Sequence, residues 1–258
     1  AAESCREVAA GLGTLRSGPL GLLASAGAEA GASGGAEAPE DVPASRPETP
    51  GQAGQAGAPG DLPKSFVILV DGVGSFLVFR GAQVSVGPIS SSRRPDVGLM
   101  ADANMPVATI LRAEEDYFLR ADSPVEVNGR PVTNELLRHG DRIALAARCR
   151  MKFLRPNAAS TSAVLALTGA RLGRKDVRHV VLMGRELVLG PGPSAHLRAE
   201  GLADQIVLYV RDDKLYCRSQ TPVMAGGRPM DSAAGIPMDT PVRAGEVSFV
   251  ITGASYVQ

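Results

Sequence analysis

Short apolar segments, separated by turn-forming residues, recur along the chain from residue 64 onward. Residues 66–70 are five apolar residues in a row, and a glycine-containing turn follows them. Residues 125–127 alternate between apolar and charged side chains and lead into Asn128-Gly129, a strong signal for a two-residue hairpin. Segments this short, each ended by Gly, Pro, Asn or Asp, predict an all-β chain with a β-sandwich architecture.

One stretch of this pattern occurs twice. Residues 116–132 recur 98 positions later as residues 214–230 (214 − 116 = 98), without a gap. We therefore predict two tandem β-sandwiches, over residues 64–158 and 162–256. The identical positions are Arg120, Pro124, Val125, Gly129, Arg130 and Pro131, which recur as Arg218, Pro222, Val223, Gly227, Arg228 and Pro229. Gly87-Pro88 recurs as Gly190-Pro191 at a different offset (190 − 87 = 103).

The N-terminal quarter has a different composition. Residues 25–63 are dominated by Ala, Gly, Pro, Glu and Ser without apolar periodicity, which predicts a disordered linker. Residues 1–24 are interpreted as a possible short helix or as the end of a fragment. Because the chain begins with Ala1, we expect it to be part of a longer protein.

Charge and composition narrow the possible functions. The chain has 27 Lys plus Arg and 27 Asp plus Glu, so the formal net charge is zero, which removes the usual electrostatic argument for nucleic-acid binding. Its three cysteines lie far apart, which predicts a reducing, cytoplasmic location and neither a disulfide framework nor a metal site.

No segment has the ~20 apolar residues of a membrane helix, so we expect no membrane insertion. No catalytic motif is present, and we predict a protein that is not an enzyme and has no cofactor.

The order of motifs in the first copy resembles the forkhead-associated (FHA) domain family. The resemblance is carried by residues 96–99 (Asp-Val-Gly-Leu), 107–110 (Val-Ala-Thr-Ile), 127–132 (Val-Asn-Gly-Arg-Pro-Val) and 137–143 (Leu-Arg-His-Gly-Asp-Arg-Ile). It implies a two-sheet β-sandwich that binds phosphothreonine peptides through loops at one end. Residues 163–254 resemble the family only through their similarity to the first copy.

The positions that hold phosphate in that family differ here. Pro88 stands where the resemblance places an arginine, Asn104 where it places a serine, and Ser123 where it places the asparagine that contacts the peptide. The resemblance therefore implies the sandwich but not the usual phosphothreonine site. We predict a non-catalytic protein-interaction or scaffold module of signalling type, whose partner is a protein or a peptide; the oligomeric state is left open.

The best candidate site is the loop after Pro88, where three hydroxyl groups and two guanidinium groups are able to surround an anion. One alternative is residual phosphothreonine-peptide binding through this loop, and another is a purely structural pair of domains. The basic segment 171–178 is interpreted as a solvated turn, with an acidic partner as the alternative. The candidate binding residues are Ser90, Ser91, Ser92, Arg93, Arg94, Asn104, Ser123 and Asn128 in the first copy, and Ser194, His196 and Arg198 in the second.

Overall fold

A computed structural model describes residues 61–231 and 233–254. Within these residues the chain forms 19 β-strands and no α-helix, so the predicted all-β class is confirmed. The predicted short helix or fragment end at residues 1–24 and the predicted linker as far as residue 60 lie outside the described residues. The end of that linker is described, and there Leu62 packs in the protein interior with 6% of its surface exposed. The packed part therefore begins slightly before residue 64.

The strands follow the two sequence copies. The first copy contains β1 (Ser65–Val70), β2 (Gly74–Phe79), β3 (Gln83–Pro88), β4 (Val97–Leu99), β5 (Ala108–Ala113), β6 (Asp116–Val127), β7 (Arg130–Leu137), β8 (Arg142–Ala146) and β9 (Cys149–Leu154). The second contains β10 (Ala163–Leu167), β11 (Val177–Leu182), β12 (Glu186–Gly190), β13 (Leu197–Arg198), β14 (Ile206–Arg211), β15 (Lys214–Arg218), β16 (Val223–Ala225), β17 (Arg228–Pro229), β18 (Val242–Ala244) and β19 (Val247–Gly253).

These strands form two sheets of unequal size. The larger has 15 strands in the order β17-β16-β18-β19-β1-β2-β11-β10-β9-β8-β6-β5-β3-β4, with β7 paired to β6. The smaller has four strands in the order β13-β12-β14-β15. The larger sheet is continuous because β6, with a register shift between Arg120 and Val125, pairs with β5 near its start and with β8 at its end. In the second copy the corresponding strands, β15 and β16, are separate.

The first hairpin of each copy pairs with the last strand of the other copy. β1 lies antiparallel to β19, and β10 lies antiparallel to β9. The two hairpins meet where β2 runs parallel to β11, with Phe76 beside His179 and Leu77 beside Val180. The strand pairing therefore crosses the predicted domain limits at residues 158 and 162, and each half of the molecule contains strands from both copies.

Two hydrophobic cores lie on opposite faces of this exchanged region. In β1, Val67 packs in the first core, with the middle strands of the first copy, whereas Phe66 and Ile68 pack in the second. In β10, Leu165 packs in the first core and Val164 in the second. Because both faces are covered, these strands are continuous apolar runs rather than alternating ones.

The two hairpins have matching registers but opposite orientations. Ile68 pairs with Phe76 and with Ile251, and Leu165 pairs with Val180 and with Phe153. Because Ile251 is the counterpart of Phe153 in the second copy (153 + 98 = 251), Ile68 and Leu165 occupy equivalent positions in the strand pairing. Ile68 faces the second core, whereas Leu165 faces the first. Equivalent side chains thus point to opposite faces of the sheet, which indicates that the exchange is reciprocal.

Candidate functional site

Three loops of the first copy surround an open groove of about 950 Å³. They are the β3–β4 loop (89–96), the β4–β5 loop (100–107) and the short β8–β9 loop (147–148). The groove brings together two of the predicted residues, Ser90 and Asn104. These two side chains come from different loops, so their proximity depends on the fold.

The surface of this groove is mainly apolar. Ile89 and Met100 line it and expose 47% and 60% of their surfaces. Backbone hydrogen bonds fix both loops, since Ile89 N donates to Leu99 O at 2.9 Å and Met105 N donates to Asp102 O at 3.0 Å. Arg148 is the cationic residue of the lining, and Asp102 is the anionic one.

The β3–β4 loop is closed at its base by Asp96. The backbone N–H and the hydroxyl of Ser85 donate to the Asp96 carboxylate at 2.8 and 2.6 Å. Within the loop, Ser91 N donates to Pro88 O at 2.9 Å in a tight turn. Of the five predicted loop residues, only Ser90 lines the groove. The other four do not line the groove: Ser91, Ser92, Arg93 and Arg94.

Asn128 is used within the fold. Its Nδ2 donates to Asp141 Oδ1 at 2.8 Å, and its Oδ1 accepts from Arg142 N at 3.0 Å. Its φ is +54°, a left-handed conformation that asparagine tolerates better than most residues. Asn128 therefore ties its own hairpin turn to the turn at Gly140-Asp141. Both polar atoms of its amide are occupied.

Ser123 also lies outside the lining of the groove. Its hydroxyl is 3.4 Å from Asp122 Oδ1, an atom that accepts the backbone N–H of Val107 at 3.2 Å. An anionic ligand at Ser123 would therefore be next to the carboxylate of Asp122 and repelled by it.

His196 in the second copy accepts a backbone N–H at the position where Asp96 does so in the first copy. Val188 N donates to His196 Nδ1 at 3.0 Å, just as Ser85 N donates to Asp96 (188 − 85 = 103, the offset between Gly87 and Gly190). Only 4% of His196 is exposed, and burial lowers its pKa to about 4, so the ring is neutral at pH 7. Because Nδ1 is an acceptor, Nε2 carries the proton; Nε2 is buried and has no partner among the described residues. His196 is therefore a structural acceptor within the fold.

The other two predicted residues of the second copy do not form a comparable site with His196. Arg198 forms an exposed ion pair with Glu200 at 3.3 Å. Ser194 is partly exposed in the turn in which Ala195 N donates to Gly192 O. An exposed ion pair such as that of Arg198 with Glu200 contributes only about 0–1 kcal/mol to the stability of the fold.

Cys149 lies at the floor of the groove. Burial and the nearby Asp102 carboxylate both raise the pKa of its thiol, so the group stays protonated near neutral pH. A protonated thiol is a weak nucleophile. In the part of the chain that the structure describes, no three His, Cys, Asp or Glu side chains are grouped so as to hold a metal ion.

The sequence reasoning missed Ile89, Met100 and Arg148. The signal for Ile89 was a large apolar residue at the start of an otherwise polar loop, and the signal for Met100 was its place at the end of the short apolar segment 97–100. Arg148 lies in a two-residue loop between two strands, and only the fold brings it beside the other two loops.

Comparisons with known proteins gave no match. No family model matches the chain, and no curated protein or solved structure does either. Among the described residues, none forms a helix with the length and apolar character needed to cross a membrane.

Proposed function

We propose that this chain is a non-catalytic protein-interaction module of scaffold type, acting in signalling, and that it binds a peptide in the loop groove without requiring a phosphate group. The observation that carries this proposal is the pair Ile89 and Met100, two exposed apolar side chains that line the same groove. Exposed apolar surface of this kind is typical of binding sites for protein segments.

The polar groups of the groove favour a ligand without phosphate. Pro88 is buried and has no side-chain donor at the position where the family resemblance places an arginine. Asn104 is neutral, and the single cation of the lining, Arg148, is accompanied by Asp102. A phosphate with nearly two negative charges is normally held by a guanidinium fork and several further donors.

Residual phosphothreonine binding is the second candidate. It is favoured by Arg93 and Arg94, both of which are exposed and form no ion pair with any described residue. They belong to the same loop as Ser90, which lines the groove. This function would require a phosphate on the peptide and both arginines on the protein.

A paired peptide library separates the two candidates. Each peptide is made with threonine and with phosphothreonine, and its binding to the whole chain is followed by fluorescence polarisation. We expect unphosphorylated peptides with apolar residues to bind, and Ile89→Ser/Met100→Ser to weaken them about tenfold or more. The matched control is Val73→Ser/Leu136→Ser, which removes two exposed apolar side chains outside the groove.

Each remaining outcome decides against the proposal. Binding that needs the phosphate and is lost in Arg93→Ala/Arg94→Ala supports the second candidate. Equal weakening by the groove variant and by its control shows that the effect is not specific to the groove. The absence of any binding peptide favours the purely structural pair of domains.

A further inference from the structure

The loop between β10 and β11, residues 168–176, comes from the second copy but lies against the first. Thr168 N, Gly169 N and Ala170 N lie 3.0, 3.1 and 3.2 Å from the carbonyl oxygen of Arg150, at the start of β9. Farther along the loop, Leu172 forms an isolated antiparallel β-bridge with Leu99 of β4, and Met100 N donates to Arg171 O at 2.8 Å. The loop is therefore fixed beside the groove.

The sequence of this loop explains which side chains point outward. Ala170 and Leu172 expose only 7% and 1% of their surfaces and pack in the first core, whereas Arg171 between them is exposed. After Leu172, Lys175 and Arg178 are exposed while Val177 is buried. Buried apolar residues thus anchor the loop, while Arg171 and Lys175 of the loop, and Arg178 near the start of β11, face solvent.

These cations surround a second depression of about 610 Å³, which adjoins the groove. Met100 lines both, so the apolar surface of the groove continues into the basic one. The four cations that line the second depression are Arg171, Arg174, Lys175 and Arg178.

One carboxylate of the loop is already engaged. Asp176 accepts from Arg174 Nε at 2.8 Å and from the hydroxyl of Ser75 at 2.6 Å. This leaves Arg171, Lys175 and Arg178 without an ion pair among the residues that the structure describes. Since the whole chain has no net charge, three such cations lining one depression are a local concentration of positive charge.

We infer that the groove and the β10–β11 loop form one composite site, which selects peptides carrying an apolar residue next to a run of aspartate or glutamate. This inference rests on the proposed peptide binding and adds the chemistry of the peptide. The apolar residue lies between Ile89 and Met100, and the acidic residues lie over Lys175 and Arg178. Charge complementarity of this kind acts mainly on selectivity and on the association rate.

The test uses a phage-displayed library of random dodecapeptides selected on the whole chain at low salt. We expect the selected peptides to combine an apolar residue with an enrichment of Asp and Glu. Lys175→Glu/Arg178→Glu should weaken a selected acidic peptide about tenfold at low salt, and high salt should reduce that difference. Arg120→Glu/Arg228→Glu makes the same change in net charge at exposed positions outside both depressions and should have little effect.

The results distinguish this inference from the proposed function. One possible result is that the selected peptides depend on Met100 but are not enriched in Asp and Glu, and that they still bind the Lys175→Glu/Arg178→Glu variant. This result would overturn the composite site and leave groove binding intact. Equal losses of peptide affinity in the two charge-reversal variants would show a general electrostatic effect and would also overturn the composite site. A library that yields no peptide dependent on Met100 would overturn both.

Discussion

A cysteine pair across β1 and β19 tests the exchange of hairpins directly. Leu69 and Val250 are directly opposite each other in this antiparallel pair, come from different copies, and are both partly exposed. Opposite residues in such a pair have Cα atoms about 4.5–5.5 Å apart, within the range that a disulfide spans. We expect Leu69→Cys/Val250→Cys to form an intramolecular disulfide under mild oxidation.

The expected stabilisation follows from the length of chain that the bond closes. The two positions are separated by 250 − 69 = 181 residues. The chain-entropy model gives up to about 5 kcal/mol for a loop of this length, and strain in the bond reduces that value. Urea unfolding of the oxidised and reduced forms of the same variant isolates this effect, because both forms lack the original leucine and valine.

A second cysteine pair serves as the control. Ala166, which is equivalent to Leu69 in the second hairpin, pairs with Lys152 of β9. If each hairpin paired within its own copy, Leu69 would therefore lie opposite Lys152. Peptide mapping under non-reducing conditions should find the disulfide in Leu69→Cys/Val250→Cys and not in Leu69→Cys/Lys152→Cys. The reverse pattern would refute the exchanged pairing.

Three further changes test how individual side chains hold the fold, each by chemical denaturation. Tyr117→Phe removes the donor to the Thr161 carbonyl oxygen, a bond of 2.7 Å, and should cost about 1–2 kcal/mol; an unchanged midpoint would contradict that bond. Asn128→Ala removes two hydrogen bonds and places alanine at a φ of +54°, which should cost about 1–3 kcal/mol, whereas Asn128→Gly should recover the part due to the backbone. For His196, burial lowers the folded-state pKa to about 4 from its ordinary value of 6.5, so the unfolded chain takes up the proton first as the pH falls. Stability should therefore be full above pH 6.5 and fall by about 3 kcal/mol between pH 6.5 and 4, and His196→Gln should flatten this slope, leaving the smaller part due to His179, whose pKa burial also lowers.

The strands were predictable from local patterns, but their partners were not. The apolar run at residues 66–70 and the turn at Asn128-Gly129 each specify structure over a few residues, and both are where they were expected. The strand beside β1 is formed by residues 179 to 187 positions farther along the chain (249 − 70 = 179; 253 − 66 = 187), and nothing in the run itself identifies them. A signal was nevertheless present, because residues 66–70 do not alternate as residues 125–127 do. A strand without alternation is typical of burial on both faces.

The candidate site was predictable to a similar extent. Ser90 and Asn104 were predicted because the family resemblance places binding residues in their two loops. Ile89 and Met100 were missed because polar residues were expected to define the site, and the exposure of apolar side chains depends on tertiary packing. His196 was assigned to a binding site because its partner, the N–H of Val188, is a backbone group that a sequence pattern does not show.

The proposed composite site depends on the exchange of hairpins. β10 pairs with β9, and the β10–β11 loop that follows it is therefore carried to Arg150 and Leu99 of the first copy. If β10 paired with β19 instead, the cations of that loop would lie beside the second core, away from Met100. A chain held in the exchanged pairing by the disulfide between positions 69 and 250 should therefore keep the selectivity for acidic peptides. Loss of that selectivity in the crosslinked chain would show that the loop reaches the groove in some other way.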